Sequence, residues 1–125
     1  MGTPGLILFG HGARDARWAE PFERLRERVA QQRPDAHVRL AFLDLMTPNL
    51  PDAVAELASA GCTDVTIIPV FFGQGGHVRR DLPAIVAQCQ AAHPGVAIRS
   101  ATAVGEDDDV LDALAAYCLR MLGRA

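Results

Sequence analysis

Two histidines in glycine-rich surroundings are the side chains of this sequence best suited to chemistry. His11 stands between two glycines directly after a short apolar run, and His77 follows Gly75 and Gly76. Glycine removes side-chain bulk and permits positive φ angles, so a ligand can approach the backbone while the imidazole projects outward. A neutral imidazole binds divalent cobalt, iron, nickel or zinc, and with an ordinary pKa of about 6.5 it also accepts protons near neutral pH. The pattern therefore indicates metal or proton handling.

A structural role is the alternative for each histidine, because an imidazole can also close a turn by bonding to a backbone carbonyl. The two remaining histidines suit such a role better. His37 opens a predicted strand, and His93 ends a predicted helix just before Pro94, where it can bond the last helix carbonyls or face water. The predicted metal site therefore consists of His11 and His77.

The number of available ligands indicates the kind of metal site. Two histidines with one optional carboxylate, Asp44, leave coordination positions open for exchange, whereas a structural zinc needs four protein ligands. Three scattered cysteines without a CxxC pair argue against a zinc knuckle or a disulfide framework and are expected to be buried. They are Cys62, Cys89 and Cys118. Nucleotide binding is not supported either, because the sequence lacks a P-loop and the third glycine of the dinucleotide fingerprint.

The hydrophobic pattern predicts that four strands alternate with four helices. Short apolar runs ended by turn signals are typical of strands buried on both faces. They cover Leu6 to Phe9, Val38 to Leu43, Val65 to Val70 and Val96 to Arg99. Apolar residues at helical spacing follow each run. The helix faces contain Trp18, Phe22, Leu25 and Val29; Leu50, Val54, Leu57 and Ala58; Leu82, Ile85, Val86 and Cys89; and Val110, Leu114, Tyr117, Cys118 and Met121.

Local signals indicate where the last two helices begin. Asp81 is predicted as the N-cap of the third helix, with Pro83 in its first turn. The acidic run from Glu106 to Asp109 suits the N-terminus of the fourth helix, where the helix dipole favours negative charge.

This alternation predicts an α/β fold with one domain, residues 1–125, built on a four-stranded parallel sheet with helices on both faces. Ligands of open α/β sheets bind beyond the carboxyl ends of the strands. The residues expected there are Gly10, His11, Gly12 and Arg14; Asp44, Met46 and Thr47; and Phe71, Phe72, Gly75, Gly76, His77, Arg79 and Arg80. Both histidines of the predicted metal site are thus expected at one edge of the sheet.

Charge and hydropathy exclude several classes of function. The formal net charge is -3, so no overall basic field attracts nucleic acid or an anionic membrane. No apolar run approaches the roughly 20 residues of a membrane span, and no cleavable leader is evident at the N-terminus. We therefore expect a cytoplasmic protein without nucleic-acid or membrane partners.

Two segments resemble a known family. Residues 8–14, LFGHGAR, and residues 69–83, PVFFGQGGHVRRDLP, are similar to the small CbiX-type class II chelatases, the sirohydrochlorin cobaltochelatase and ferrochelatase family. The resemblance implies a flavodoxin-like chelatase domain of half the length of the two-domain relatives. It implies insertion of divalent cobalt, iron or nickel, as a substrate, into sirohydrochlorin or a related tetrapyrrole, without an organic cofactor. It also implies that His11 and His77 bind the metal.

The remaining site residues are interpreted in the light of that resemblance. Many relatives carry glutamate in the segment 42–48, where this chain has the shorter Asp44 and the non-ionising Thr47. Asp44 is predicted to orient an imidazole or hold the cation. Sirohydrochlorin bears carboxylates around an apolar ring, so arginines and apolar walls are expected in its site. The predicted substrate-binding residues are Arg14, Arg79, Arg80, Met46, Phe72, Gly75 and Gly76; for Phe71 and Phe72, core packing is the alternative.

A symmetric homodimer is implied by the resemblance, and exposed apolar residues are expected around Leu45, Met46 and Leu50.

Two other functions are compatible with a histidine after the first strand. A histidine phosphatase needs an arginine next to its nucleophilic histidine, and Gly10 occupies that place, which argues against this function. A non-catalytic carrier of metal or tetrapyrrole would use the same ligands and stays open.

Overall fold

Strands and helices alternate along the chain, as the sequence predicts. The computed structural model describes residues 2–73 and 75–123, and for His77 the backbone alone. The strands are β1 (Thr3–Gly10), β2 (His37–Phe42), β3 (Cys62–Pro69) and β4 (Ala97–Ser100). The helices are α1 (Glu20–Gln32), α2 (Leu50–Ser59), α3 (Gly76–Ala92) and α4 (Asp108–Leu122). Short 3-10 turns, Ala16–Ala19 and Val104–Glu106, precede α1 and α4.

The four strands form one parallel sheet in the order β2-β1-β3-β4. Leu6 pairs with Val38 on one side and Thr66 on the other, so β1 is central. The predicted α/β fold with a four-stranded parallel sheet is confirmed. Because all strands run the same way, β1, β2 and β3 end at one edge, and the loops that follow them meet there.

Two apolar layers hold the helices on the sheet. Ile7 and Phe9 of β1 point to the layer beneath α2 and α3, where Val54, Leu57 and Ile67 are fully buried. Alternate residues of the same strand face the other layer beneath α1. That layer contains Leu8, Val38, Leu40 and Phe42, with Trp18 and Phe22 stacked at 4.8 Å between ring centroids. The sheet thus has helices on both faces, as predicted.

Helix α3 begins a turn and a half earlier than the sequence analysis predicts. Gly75, not Asp81, is its N-cap, and Pro83 lies inside the helix. Val78 and Leu82 are both buried at helical spacing, so the apolar face continues toward the N-terminus through residues that the predicted N-cap at Asp81 leaves outside the helix. His77 therefore belongs to the first turn of α3 instead of a loop.

The last helix differs most from expectation. Asp107 caps α4 by accepting a hydrogen bond from the Val110 amide at 3.1 Å, as the acidic run predicts. None of the side chains of α4 among the described residues is buried, and Tyr117 is half exposed. The apolar face predicted from its periodicity is present, but it does not pack on the sheet.

The exposure of each cysteine matches that of the strand or helix in which it lies. Cys62 and Cys89 are buried as predicted, and burial raises the pKa of both thiols. They therefore stay protonated at neutral pH and are poor metal ligands. Cys118 is exposed because α4 is exposed, which corrects the expectation of a buried residue.

Within the described part of the chain, no helix combines the length and the apolar character needed to span a bilayer.

Candidate functional site

The site is built where the carboxyl ends of β1, β2 and β3 meet. Backbone hydrogen bonds continue past the strand ends on both sides of β1. The Leu43 amide donates to the Gly10 carbonyl at 2.9 Å, and the Val70 amide donates to the Phe9 carbonyl at 2.7 Å. His11 directly follows Gly10, the last residue of β1, so its backbone position is fixed by the end of the sheet.

His11 is exposed, and its ring lies against a buried aromatic side chain. The ring centroids of His11 and Phe71 are 4.1 Å apart, with 32° between the ring planes. Phe71 in turn packs on Phe9 at 5.7 Å. Among the described atoms, which exclude the side chain of His77, neither ring nitrogen of His11 has a hydrogen-bond partner. The structural alternative, an imidazole bonded to a backbone carbonyl, is not observed there, and the ring remains available to a ligand.

Gly12 allows the loop after β2 to approach His11. Its φ is +91°, and an added Cβ would overlap with the Asp44 carbonyl. The Asp44 amide donates to the His11 carbonyl at 3.0 Å. A side chain at position 12 would push these two loops apart, so the glycine is required for close approach and not merely tolerated.

Asp44 is exposed at this edge and orders its own loop. Its Oδ1 accepts a hydrogen bond from the Leu45 amide at 2.8 Å, and Leu45 has a φ of 67°, unusual for a residue with a branched side chain. The carboxylate retains lone pairs for a second partner. Asp44 thus supports the backbone conformation beside His11, and its carboxylate is exposed.

The apolar residues around this loop divide between surface and core. Leu45 is 56% exposed and Met46 is partly buried, whereas Leu50 is only 2% exposed. The expectation of exposed apolar surface is correct for Leu45 and wrong for Leu50, because Leu50 is the first residue of α2 and packs into the core. Leu43, which we did not single out from the sequence, adds exposed apolar surface at the end of β2.

The two adjacent phenylalanines after β3 have opposite environments. Phe71 is 4% exposed and Phe72 is 72% exposed. Core packing is therefore the role of Phe71, whereas for Phe72 that alternative is wrong. An exposed aromatic ring at the carboxyl edge of the sheet offers an apolar surface against which a flat ligand can stack.

The predicted arginines are exposed near the same edge. Arg79 Nη2 lies 4.0 Å from Glu106 Oε2, and Arg80 Nε donates to the Gly76 carbonyl within its own helix at 3.2 Å. Arg14, in the loop after His11, is exposed as well. Glu106 was missed as a neighbour of this site, although it belongs to the acidic run that the sequence analysis placed at the start of α4.

For His77, the second histidine of the predicted metal site, the structure describes only the backbone. The backbone of residue 77 lies in the first turn of α3, and its side chain lies outside what the structure describes. Gly75 and Gly76 are exposed, with open space where a Cβ would be. Within the described residues, no group of three or more metal-binding side chains is present, and His11 and Asp44 remain as candidate ligands at this edge.

A separate groove lies away from this edge. It has a volume of about 470 Å³ between α3 and β4 and is lined by residues such as Leu82, Val86 and Ile98. It contains no titratable side chain, so it offers nothing for metal or proton handling. We therefore assign the candidate site to the carboxyl edge around His11.

Comparison with known proteins gives consistent matches. The sequence profile of the CbiX family matches residues 5–119. The sirohydrochlorin cobaltochelatase of Methanosarcina acetivorans is 31% identical over 83 residues, which make up 66% of this chain and 64% of that protein. The one from Methanothermobacter thermautotrophicus is 32% identical over 82 residues, 66% of this chain and 57% of that protein. The chain thus spans less than two thirds of the length of these relatives.

Solved structures share the fold. A Marinobacter aquaeolei protein described as a cobalamin (vitamin B12) biosynthesis CbiX protein has a TM-score of 0.84 and 33% identity, and the match covers 98% of this chain and 99% of that one. SirB from Bacillus subtilis with Fe3+ has a TM-score of 0.74 at 20% identity. This second match covers 89% of this chain and 44% of SirB, and at that identity it shows the fold alone.

Proposed function

The chain belongs to the CbiX family, and from this premise we propose that it inserts a divalent metal ion into sirohydrochlorin. The curated relatives that it matches are sirohydrochlorin cobaltochelatases, which supports cobalt as a metal substrate; iron and nickel suit the same imidazole and carboxylate ligands. The observation that carries the proposal is His11, an exposed imidazole fixed on Phe71 with no hydrogen bond to its ring among the described residues.

The proposed reaction needs three contributions from the protein. Water must be stripped from the metal, two pyrrole protons must leave the macrocycle, and the macrocycle must be held at the site. His11 is proposed to bind the incoming metal or accept a pyrrole proton, since neutral imidazole does both near neutral pH. His77 is proposed as the second metal ligand, on its position in the sequence alone. Neither role requires a covalent intermediate or an organic cofactor.

The macrocycle is proposed to lie across the carboxyl edge of the sheet. Phe72 and Leu45 present exposed apolar surface to it, and Met46 contributes a partly buried side chain. The open space over Gly75 and Gly76 gives room for the ring. The exposed arginines at positions 14, 79 and 80 are proposed to pair with its carboxylates.

A single-turnover insertion assay tests this function. The protein is mixed with sirohydrochlorin and with Co2+, Fe2+ or Ni2+ in turn, and the absorbance of the macrocycle is followed against a protein-free control. We expect faster insertion of at least one metal in the presence of the protein. A carrier without turnover would bind the metal or the macrocycle and leave the insertion rate at that of the control.

Replacing Arg79 or Arg80 by alanine is expected to weaken sirohydrochlorin binding more than metal binding. A partly exposed arginine–carboxylate pair contributes on the order of 1 kcal/mol, which is about fivefold in Kd. The effect should shrink as salt is added. Arg28→Ala, an exposed arginine of α1, is the matched control. Affinity unchanged in both the Arg79 and the Arg80 variant would show that these charges face only solvent.

Asp44→Asn is expected to lower the insertion rate while keeping the loop folded. The asparagine oxygen can still accept the hydrogen bond from the Leu45 amide, but it lacks the negative charge that holds a cation or orients an imidazole. Asp44→Ala removes both functions and should also lower the melting temperature. An Asp44→Asn protein with full activity would limit Asp44 to its backbone role.

The assembly and location expected from the sequence are part of the proposal. We propose that residues 1–125 act as one chelatase domain, that two such chains form a symmetric homodimer, and that the protein works in the cytoplasm. A closed two-fold pairing is the commonest arrangement of small homo-oligomers.

A further inference from the structure

The turn that follows β4 is in direct contact with the candidate site. The amide of Gly105 donates to the Phe71 carbonyl at 3.0 Å. An added Cβ at Gly105 would overlap with the Phe72 backbone, so nothing separates the two segments. The ring of Phe71 in turn lies against the ring of His11. The turn Val104–Glu106 is therefore packed on the same segment that supports the proposed metal ligand.

Glu106, the last residue of this turn, has a backbone that is fixed on both sides. Its amide donates to the Ala103 carbonyl at 2.9 Å. The next residue, Asp107, is the N-cap of α4 and accepts a hydrogen bond from the Val110 amide at 3.1 Å. Folding alone thus brings the carboxylate of Glu106 to the carboxyl edge of the sheet, before any ligand binds.

The cation that Glu106 meets there is Arg79, near the start of α3. Arg79 Nη2 and Glu106 Oε2 are 4.0 Å apart, and the two side chains are 67% and 44% exposed. This separation is longer than the roughly 2.7–3.2 Å of a hydrogen bond, so the contact is electrostatic. The planar fork of a guanidinium can bind a carboxylate through two parallel hydrogen bonds. Glu106 therefore neutralises part of the charge of Arg79 without taking up its donors.

The start of α3 has no acidic residue of its own to balance its positive charge. Gly75, the N-cap, offers no side-chain acceptor, and the first turn contains no acid. The free amides and the dipole of a helix make its N-terminus positive, and Arg79 and Arg80 add to that charge. Glu106 supplies the opposing negative charge from a different segment of the chain.

We propose that Glu106 is a specificity-determining residue: it is the counter-ion of Arg79 in the empty site, and a carboxylate of the macrocycle binds Arg79 against the repulsion of Glu106. This inference rests on the proposed function and adds a residue to it. Metal insertion leaves the carboxylates of the macrocycle in place, so an arginine that binds the substrate also retains the product. The negative charge of Glu106 limits that retention, and the product leaves sooner.

Glu106→Gln tests the inference because it removes the charge and keeps the size of the side chain. At low salt we expect sirohydrochlorin to bind roughly three- to fivefold more tightly and to dissociate more slowly by a similar factor. Absorbance titration measures the Kd, and stopped-flow displacement measures the dissociation rate. Glu106→Ala removes the charge by a second route and should give a similar gain. Glu27→Gln removes the same charge from an exposed position in α1 and should leave both values unchanged.

A double-mutant cycle shows whether Glu106 acts through Arg79. In an Arg79→Ala background, Glu106→Gln should give a clearly smaller gain in affinity. In the wild-type background, the gain should shrink as salt is added. Unchanged or weaker binding by both Glu106 variants would overturn the inference, as would a gain of the same size in the Arg79→Ala background.

The wild-type protein distinguishes this inference from the proposed function. If it neither binds sirohydrochlorin nor inserts metal, the proposed function and the role of Glu106 are both refuted. If it binds and inserts metal while the Glu106 variants have its affinity and dissociation rate, only the role of Glu106 is refuted.

Discussion

Single-turnover insertion is expected to fall by roughly 10²–10⁴-fold in His11→Ala, and by a similar factor in His77→Ala. The imidazole of His11 is exposed and has no hydrogen bond to its ring within the described residues, so its removal takes away the proposed ligand and, of the structural contacts described, only the stacking on Phe71. The double variant should be little slower than either single variant, because groups that act as one unit are not additive.

Stability must be measured on the same proteins. Substitution of an exposed side chain that makes no hydrogen bond usually changes the free energy of unfolding by about 0.5 kcal/mol or less, so the melting temperature of His11→Ala should stay close to that of the wild type. His37→Ala, at the start of β2 and far from the carboxyl edge, is the control for loss of a histidine as such and should retain its insertion rate. Full insertion of cobalt and iron by the double variant would end the proposed mechanism.

Gly12→Ala should cost both stability and activity. The new Cβ would overlap with the Asp44 carbonyl, and the backbone would keep a φ of +91° that alanine adopts poorly. We expect a loss of roughly 1–3 kcal/mol in the free energy of unfolding. Insertion should slow by about 10²-fold, since a displacement of about 1 Å at a site has that effect.

A second glycine provides a matched control for the strain that alanine has at a positive φ angle. Gly61 has a φ of +92°, and nothing lies within 4 Å of the position of its Cβ. Gly61→Ala therefore carries the same backbone strain without the overlap. It should destabilise the protein less than Gly12→Ala does and leave the insertion rate unchanged. Equal activity losses in the two variants would attribute the effect to global stability rather than to the approach of the Asp44 loop.

Much of the scaffold can be predicted from the sequence because burial dictates it. Short apolar runs identify all four strands, and the rule for parallel sheets places His11 and Asp44 at one edge before any coordinates are known. The start of α3 is harder to predict, because Gly75 and Gly76 resemble a loop although Val78 continues the apolar face of the helix. Local glycine signals and helical periodicity conflicted there, and packing favoured the helix.

Other features depend on tertiary contacts that composition does not encode. Phe71 and Phe72 have the same side chain, and only the path of the backbone after β3 decides that one is buried and the other exposed. The positive φ of Leu45 gives no signal in the sequence. The apolar face of α4 is readable from its spacing, but periodicity says only that a face is apolar and not which surface covers it.

The hydrogen bonds that join the loops to the end of β1 bear on the thermodynamics of ligand capture. The amides of Leu43 and Val70 join the segments after β2 and β3 to the end of β1, immediately before His11. The ring of Phe71 packs against the ring of His11. The backbone around His11 therefore loses its conformational entropy during folding and not each time that a metal ion binds. The amides of Leu43 and Val70 should accordingly exchange with deuterated solvent only in larger opening events, and their protection should be nearly the same with and without metal.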